Sequence, residues 1–298
     1  MSIISKSDNG ISLQNYVAKK YDLSKSAAKK LIDSRSVRVN ARPVWMARHI
    51  LKTGDVVDIP STRFNPEPSP LKLSTIYVNQ HVFVFNKPPG ITTTGSKSLE
   101  VLCQREHKNT TLRAVHRLDK DTSGCVLFSD CQPTTQGLIS QFKHRKVKKE
   151  YTAIVLGKTS FSSRTVRQSI AHQDATTHIT VQQISEQFSR VSCLIETGRK
   201  HQIRIHLAGI GHPVAGDLIY RAPHTKQVDP AMYNFPRIML HATRLGLKHP
   251  ANNAPIQTTA PLPHDILEEM RTHQLTSPRY PAPPERNPNK TITESRTP

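Results

Sequence analysis

The stretch AVHRLDKDTSG at residues 114–124 decides how this chain folds, because it runs directly into the apolar segment CVLF at 125–128. The apolar segment predicts a buried strand. A charge that loses water beside such a strand is costly. The stretch is therefore either a solvated loop or the support of an acid used for chemistry. Its charged side chains, His116 aside, are Arg117, Asp119, Lys120 and Asp121.

The composition indicates a polyanionic partner. The chain has 298 residues, a net charge of +20 and a sequence pI near 10.1. Such an excess of Lys and Arg is typical of proteins that bind nucleic acid. The length allows one large domain or two smaller ones, each with a real core. Nucleic acid is therefore the expected partner class.

The cysteines and the N-terminus predict a reduced, cytoplasmic protein. There is no CxxC pair and no zinc spacing, which favours free thiols. MSIISKSDNG lacks the apolar core of a signal peptide. No uncharged apolar run approaches the roughly 18 residues of a membrane span. The cysteines are Cys103, Cys125, Cys131 and Cys193.

A small basic domain is predicted over residues 11–60, after a polar lead-in at 1–10. Apolar residues at helical spacing predict helices over 12–21 and 24–35, the second with Ser24 as N-cap. Short strands are expected at 36–40 and 54–59. Ten Lys and Arg against four Asp give this block a net charge of +6. Three lysines cluster on the second helix, and we expect them to bind RNA: Lys25, Lys29 and Lys30.

The rest of the chain predicts a linker at 61–73, a large domain at 74–265 and a Pro-rich basic tail at 266–298. Strand-like runs joined by turns dominate the large domain, which favours an α+β fold with a mixed, mostly antiparallel sheet. The predicted strands lie at 75–90 (two), 124–130, 151–158, 178–184 and 190–197. The predicted helices lie at 134–147 and 198–210.

Several chemistries fit the charged stretch poorly. Asp119 and Asp121 lie two residues apart on one loop, unlike the two carboxylates that flank a sugar in a glycosidase. His201 and His206 are spaced i, i+5, which does not match the helical metal motif HExxH. The glycines of AGIGHPVAG, at 208–216, do not form a dinucleotide loop, and this also argues against a methyltransferase that uses S-adenosylmethionine. We therefore expect neither a metal site nor a dinucleotide-binding loop.

One acid in a basic chain then needs a purpose. Lys and Arg attract the RNA backbone, whereas a carboxylate is useful there if it acts on a flipped nucleotide. Such an acid needs a nearby cation to stay ionised, because burial raises its pKa. Arg199 and Arg204 are candidates, and five positions apart on a helix they point in different directions. The residues alone do not choose between them.

At this point the motifs identify a family. HRLDKDTSG resembles the signature of RluA-type pseudouridine synthases, and further motifs agree in order over roughly residues 74–265. LSKSAAKKLIDSRSVRVNARPV followed by KTGDVVDI resembles the S4 RNA-binding domain, a small α/β unit, although Ser34-Arg35-Ser36 and Ala41 replace expected glycines. The other family motifs are FNKPPG (85–90), KEYTAIVLGK (149–158), TGRKHQIRIHLAGIGHPVAGDLIY (197–220), LHATRLGLKHP (240–250) and TAPLP (259–263).

The resemblance implies the pseudouridine synthase fold and a role for each matching residue. Asp119 is the implied catalytic acid, and Arg204 is implied to pair with it. Tyr151 is implied to be catalytic as well, by stacking on the uracil and taking part in proton removal. Arg117 is expected to displace or replace the target base, and Leu118 to shape the loop beside it; both are expected to bind the substrate. Arg199 and Lys200 are then suited to phosphates. For His116 and His201 the alternatives are contact with RNA, orientation of neighbouring loops, or a hydrogen-bonded structural role, and we favour the last. The run 143–149 is interpreted as a border of the RNA path.

The predicted function is isomerisation of specific uridines in structured RNA, with ribosomal RNA favoured over transfer RNA. We expect a monomer that needs no cofactor, because the product is an isomer. One alternative is an RNA-binding or ribosome-assembly factor without turnover. The intact Arg117-Leu118-Asp119 together with Tyr151 and Arg204 argues against it. A glycosidase-like hydrolase would release free uracil.

Overall fold

The computed structural model describes residues 2–21, 23–33, 37–44, 46–59, 73–217, 219–220, 235 and 237–275. The chain divides into two compact units, Met1–Lys72 and Leu73–Pro298. Most of the predicted linker at 61–73, and the predicted tail beyond residue 275, lie outside the described residues.

The smaller unit packs two helices against a four-stranded sheet. Its elements are β1 (Ser2–Ile3), a 3-10 helix (Lys6–Asp8), α1 (Leu13–Lys20), α2 (Lys25–Asp33), β2 (Arg38–Val39), β3 (Arg42–Pro43) and β4 (Val56–Asp58). The strands are ordered β1-β4-β2-β3. The predicted lead-in thus supplies a strand, and Ile4 behind it is buried in the core.

The helices of this unit follow the predicted apolar pattern. Leu13, Tyr16 and Val17 are buried, as are Ala28 and Ile32 on the second helix. The Ser24 hydroxyl accepts a hydrogen bond from the Ala27 amide at 3.1 Å, so the predicted N-cap is confirmed. Sequence pattern and packing therefore agree here.

The larger unit is built on one mixed sheet. Its elements up to the sheet centre are β5 (Ser74–Asn79), β6 (Val82–Lys87), α3 (Leu99–Glu106), β7 (Arg113–Ala114), β8 (Ser123–Ser129), α4 (Gln132–Lys143) and β9 (Lys148–Leu156). The remaining elements are β10 (Ser163–Arg167), β11 (Thr176–Ile184), β12 (Phe188–Ile195), α5 (Gln202–Gly209), β13 (Leu240–Lys248), β14 (Pro255–Thr259) and α6 (His264–Thr272).

The sheet has the order β10-β11-β12-β9-β13-β8-β6-β5, with β14 on β13 and β7 on β8. The pair β13–β8 is parallel and the other pairs are antiparallel. The predicted α+β class with a mostly antiparallel sheet is confirmed. Strand β8 is central and buried along its length, with Val126 and Phe128 facing one core cluster and Cys125 and Leu127 another.

Two boundaries differ from the predictions. The predicted helix at 198–210 begins later, at Gln202, because His201 has a left-handed backbone (φ 57°, ψ 23°). The fold also extends beyond residue 265, since α6 follows and Ile266, Met270 and Leu275 are buried in the main core. No helix among the described residues is long and apolar enough to cross a membrane.

Candidate active site

Asp119 lies in the loop between β7 and β8, and this loop is fixed through its backbone. Thr93 bonds both the amide and the carbonyl of Leu118 through one hydroxyl, at 3.1 Å each. The Lys120 carbonyl accepts hydrogen bonds from Lys87 Nζ at 2.9 Å and from the Gly90 amide at 2.9 Å. These hydrogen bonds go to backbone atoms of the loop, so they fix its position independently of the side chains of Leu118 and Lys120.

Lys87 is fully buried and donates to three carbonyls rather than to a carboxylate. The acceptors are Pro88, Ile91 and Lys120, at 3.0, 2.8 and 2.9 Å. Burial lowers the pKa of Lys87 to about 8, although the charge of Asp121 opposes the shift. The segment FNKPPG therefore supports the Asp119 loop through the hydrogen bonds of Lys87 and Gly90 to the Lys120 carbonyl.

The close approach of β8 and β13 fixes the end of the loop. Gly124 has φ +113°, and a Cβ there would collide with the Ala242 carbonyl. A side chain at this position would block the parallel pairing of Gly124 with Ala242. The glycine that ends the motif is thus a packing requirement.

The Asp119 carboxylate faces a cation and an imidazole. Its Oδ2 lies 3.8 Å from Arg204 Nη1, and its Oδ1 lies 3.8 Å from His201 Nε2. Its side chain is 24 % exposed, whereas that of Arg204 is 4 % exposed. The predicted neighbour of Asp119 is therefore present, at a distance longer than a hydrogen bond.

Arg204 makes its short contacts to Asp217, a residue that the sequence analysis did not select. Nε and Nη2 of Arg204 donate to the two Asp217 oxygens at 2.6 and 2.9 Å. Burial disfavours the charge of Arg204, but the hydrogen bond and charge of Asp217 outweigh it and raise the pKa of Arg204. Asp217 thus keeps a buried cation charged and aimed at Asp119.

Tyr151 lies on β9 and is buried, with 8 % exposed. Burial raises its pKa well above the ordinary value, and the charge of Asp119 raises it further. The phenol therefore keeps its proton at neutral pH, and it is close enough to Asp119 for the two groups to interact electrostatically. The structure brings Asp119, Tyr151 and Arg204 into one site.

The other predicted residues are distributed differently. Arg117 is exposed beside Asp119, whereas Leu118 is buried in the core, so it shapes the loop instead of offering surface to a substrate. Arg199 lies in the turn before α5 and donates to the Asp174 carbonyl at 3.1 Å. Lys200 in the same turn is exposed. The contrast drawn between Arg199 and Arg204 on one helix was wrong, because the Gln202 side chain accepts from Thr197 Oγ1 and the Arg199 amide and folds this segment into a turn.

Two further predictions are refined by the structure. Lys149, in the basic run 143–149, is buried and donates to the Thr197 carbonyl at 3.1 Å. The same Nζ atom lies over the Phe142 ring, 5.8 Å from its centroid. His116 accepts a hydrogen bond from the Leu127 amide at 3.1 Å and is a structural histidine, as predicted.

The lysines of α2 are exposed in the smaller unit, where Lys29 pairs with Asp33 at 2.6 Å.

No cluster of His, Cys, Asp or Glu within the described residues could hold a metal ion. The four cysteines are free thiols.

Comparisons with known proteins agree on one family. A family model described as RNA pseudouridylate synthase matches residues 81–209, and an S4 domain model matches residues 12–57. Ribosomal large subunit pseudouridine synthase D of Pasteurella multocida (strain Pm70) is 32% identical over 280 residues, which cover 83% of this chain and 86% of that protein.

Two more comparisons extend this result. Ribosomal large subunit pseudouridine synthase C of Vibrio vulnificus (strain CMCP6) is 29% identical, over 84% of this chain and 90% of that protein. The solved structure of human RNA Pseudouridylate Synthase Domain Containing 4 covers 67% of this chain and 93% of its own, with a TM-score of 0.56 and 21% identity. This last likeness concerns the fold.

Proposed function

This chain belongs to the RluA family of RNA pseudouridine synthases, and on that premise we propose that it isomerises specific uridines of large-subunit ribosomal RNA, with Asp119 as the catalytic carboxylate. The observation that carries the proposal is the Asp119 carboxylate, exposed enough to meet a nucleotide and flanked by the buried, charged Arg204. The ribosomal substrate is supported by the names of the relatives.

The reaction explains why these groups suffice. The bond between N1 of uracil and C1′ of ribose breaks, a bond from C5 to C1′ forms, C5 loses a proton and N1 gains one. Nothing is added or removed, so a carboxylate that attacks or assists at this junction and a group that handles the C5 proton are enough. Arg204 places a positive charge 3.8 Å from the Asp119 carboxylate, which favours the negative form of this group.

Tyr151 fits the uracil by its place and its state. It is buried near Asp119 and protonated, so its ring can stack on the detached base while its hydroxyl remains a hydrogen-bond partner. Stacking of a base on an aromatic ring contributes about 1–3 kcal/mol. Arg117, exposed on the same loop, is suited to the space that the flipped base leaves, and Arg199 and Lys200 to phosphates.

RNA capture is assigned to the basic surface of both units. The S4 domain exposes Lys25, Lys29 and Lys30 on one helix, and the whole chain has a net charge of +20. The expected form is a monomer that acts in the cytoplasm. Transfer RNA is the second candidate substrate, because the same chemistry would act on any structured RNA that presents a uridine.

The test maps pseudouridine across total RNA from cells with and without this chain, by carbodiimide labelling and primer extension. We expect one or a few large-subunit positions to lose the modification on deletion. Wild type and Asp121→Asn should restore them and Asp119→Asn should not. Loss of pseudouridine at transfer RNA positions instead would show that transfer RNA is the substrate. Pseudouridine maps that do not change on deletion would contradict the proposal.

A further inference from the structure

His201 is the second group beside the Asp119 carboxylate, and the proposed mechanism gives it no task. Its Nε2 lies 3.8 Å from Oδ1, while Arg204 lies at the same distance from Oδ2. Each oxygen thus has its own polar neighbour, and both contacts are longer than a hydrogen bond. The imidazole is well placed to select the orientation of the carboxylate.

The imidazole is itself held by Tyr220. The Tyr220 hydroxyl lies 2.9 Å from His201 Nδ1, and the Tyr220 ring packs against the Arg204 guanidinium, whose carbon is 4.9 Å from the ring centroid. The Tyr220 amide donates to Asp217 at 3.1 Å. One connected unit therefore carries both the cation and the imidazole that face Asp119.

This arrangement selects one tautomer. If Nε2 were unprotonated, its lone pair would face the negative Asp119 oxygen, which is repulsive. With the Tyr220 hydroxyl donating to Nδ1, the proton of the neutral ring lies on Nε2 and points at Oδ1. The Tyr220 hydroxyl and the Asp119 carboxylate therefore favour the same tautomer of His201, with the proton on Nε2.

The backbone of His201 indicates that this position is held by its surroundings. The residue is left-handed, with φ 57° and ψ 23°, at the start of α5. Non-glycine residues in this region are strained, and such strain persists where surrounding structure imposes it. It places the imidazole between the Asp119 loop and Tyr220.

On the basis of the proposed function, we propose that His201, oriented by the Tyr220 hydroxyl, is a positioning residue that directs its Nε2 proton at Oδ1 of Asp119 and fixes this carboxylate for reaction with the target nucleotide. Tyr220 is the second member of the device.

The charges around the imidazole predict how the device responds to pH. Burial lowers the pKa of His201 from 6.5, and Arg204 and Lys200 act in the same direction, against Asp119 and Asp217. The ring is therefore neutral at physiological pH. In more acid solution it becomes a cation, pairs with Asp119 and withdraws the carboxylate from the reaction, so kcat falls.

The test compares His201→Asn with His201→Gln. Both substitutions introduce a polar amide side chain. The amide of Asn reaches the position of Nδ1 of the imidazole, whereas the amide of Gln reaches the position of Nε2. We expect Asn to lower kcat about 10- to 100-fold, the scale of a misplaced reacting group, with KM unchanged. Gln should retain most of kcat and lose the acid limb of the pH profile. Tyr220→Phe should lower kcat in the same direction by less.

Activity is measured as tritium released from C5 of uridine in total RNA from cells that lack this chain, so the readout does not depend on the RNA class. His172→Gln is the matched control, because His172 is also left-handed (φ 60°) and is exposed. Circular dichroism and thermal unfolding verify that each variant is folded.

The outcomes separate the two claims. Wild-type kcat and a wild-type acid limb in both His201 variants would overturn the positioning role. Tritium release from transfer RNA alone would overturn the ribosomal substrate and leave the role of His201 intact. No release by the wild type would overturn both.

Discussion

At the scale of single residues, Asp119 differs from Asp121 in what surrounds its carboxylate. Asp119 meets Arg204 and His201 at 3.8 Å and raises the pKa of Tyr151. Asp121 instead supports the charge of buried Lys87, and its carbonyl accepts from Arg237 at 3.4 Å. The proposed catalytic role therefore falls to Asp119, whereas the carboxylate of Asp121 acts on Lys87.

Tyr151→Phe tests whether the phenol oxygen takes part in proton transfer. Because the phenol is protonated and buried, removing its hydroxyl should lower kcat by about 10²-fold, the smaller end of general acid–base effects, and leave RNA affinity unchanged. Single-turnover assays and filter binding measure the two quantities.

Tyr151→Leu should also weaken target binding, since the stacking ring is lost. Tyr77→Phe is the control, because Tyr77 is half-buried on β5 in the same unit. Wild-type turnover in Tyr151→Phe would show that the ring alone matters.

The sequence predicted much of the site but not its support. The ordered motifs select Asp119, Tyr151 and Arg204, and the structure brings these three together. Asp217 and Tyr220 were missed, although Asp217 follows its partner Arg204 by only 13 residues within the quoted motif 197–220. The available signal was a lone acid in an apolar run, which requires a buried cation.

At the scale of elements, the parallel contact between β8 and β13 fixes the end of the Asp119 loop. Gly124 and Ala242 pair there, and a Cβ at 124 would collide with the Ala242 backbone. Runs rich in β-branched residues predicted β8, β9, β11 and β12. The pairing of β8 with β13 joins distant segments, and local pattern carries no information about such partners.

Gly124→Ala and Gly95→Ala separate collision from backbone strain. The two glycines have similar φ values, +113° and +117°, but nothing lies within 4 Å of a Cβ at Gly95. Gly95→Ala should lower the free energy of unfolding by about 1–3 kcal/mol, the usual cost of a strained backbone. Gly124→Ala should lower it by more than about 4 kcal/mol, because strands must also separate.

Urea unfolding followed by circular dichroism measures the difference between these variants. Equal losses would show that the β8–β13 contact relaxes at little cost and that the close approach does not secure the loop.

Elements without strong periodicity were not predicted. Helices α3 and α6 and strands β10, β13 and β14 are short or interrupted by charges and glycine, so tertiary packing decides their state. The start of α5 was also displaced, because the Gln202 side chain replaces a helical turn by hydrogen bonds to Thr197 and Arg199. Side-chain bonds of this kind compete with local propensity.

At the scale of the whole molecule, buried histidines make stability depend on pH. Burial lowers the pKa of both His116 and His241 from 6.5 to about 4. Between these values the unfolded chain binds protons that the native chain does not, so the free energy of unfolding falls as pH drops from 6.5 towards 4. Urea unfolding at a series of pH values measures the slope.

His241→Asn should reduce this slope, because one buried titrating group is lost. His264→Asn is the control, since the side chain of His264 is 85% exposed. A slope that is the same in wild type and His241→Asn would contradict the account of His241.

The basic surface makes RNA binding sensitive to salt. Replacing Lys25, Lys29 and Lys30 together by Gln should reduce the slope of log affinity against log salt by about 2, since each phosphate contact on a single strand contributes roughly 0.7. Turnover at saturating RNA should not change, because these lysines lie in the S4 domain. Fluorescence anisotropy at several salt concentrations gives the slope.

A matched triple replacement of Lys97, Lys108 and Lys158 removes the same charge from exposed positions of the larger unit. An equal slope change in both triples would show that net charge, rather than the S4 surface, governs binding.

The most direct test of the central claim incubates purified chain with a transcribed large-subunit ribosomal RNA fragment and counts pseudouridine formed by wild type, Asp119→Asn and Asp121→Asn. RNA affinity is measured on the same preparations. We predict product from wild type and Asp121→Asn, none from Asp119→Asn, and similar affinity in all three. Pseudouridine formed by Asp119→Asn at the wild-type rate would contradict the claim that this carboxylate carries the reaction.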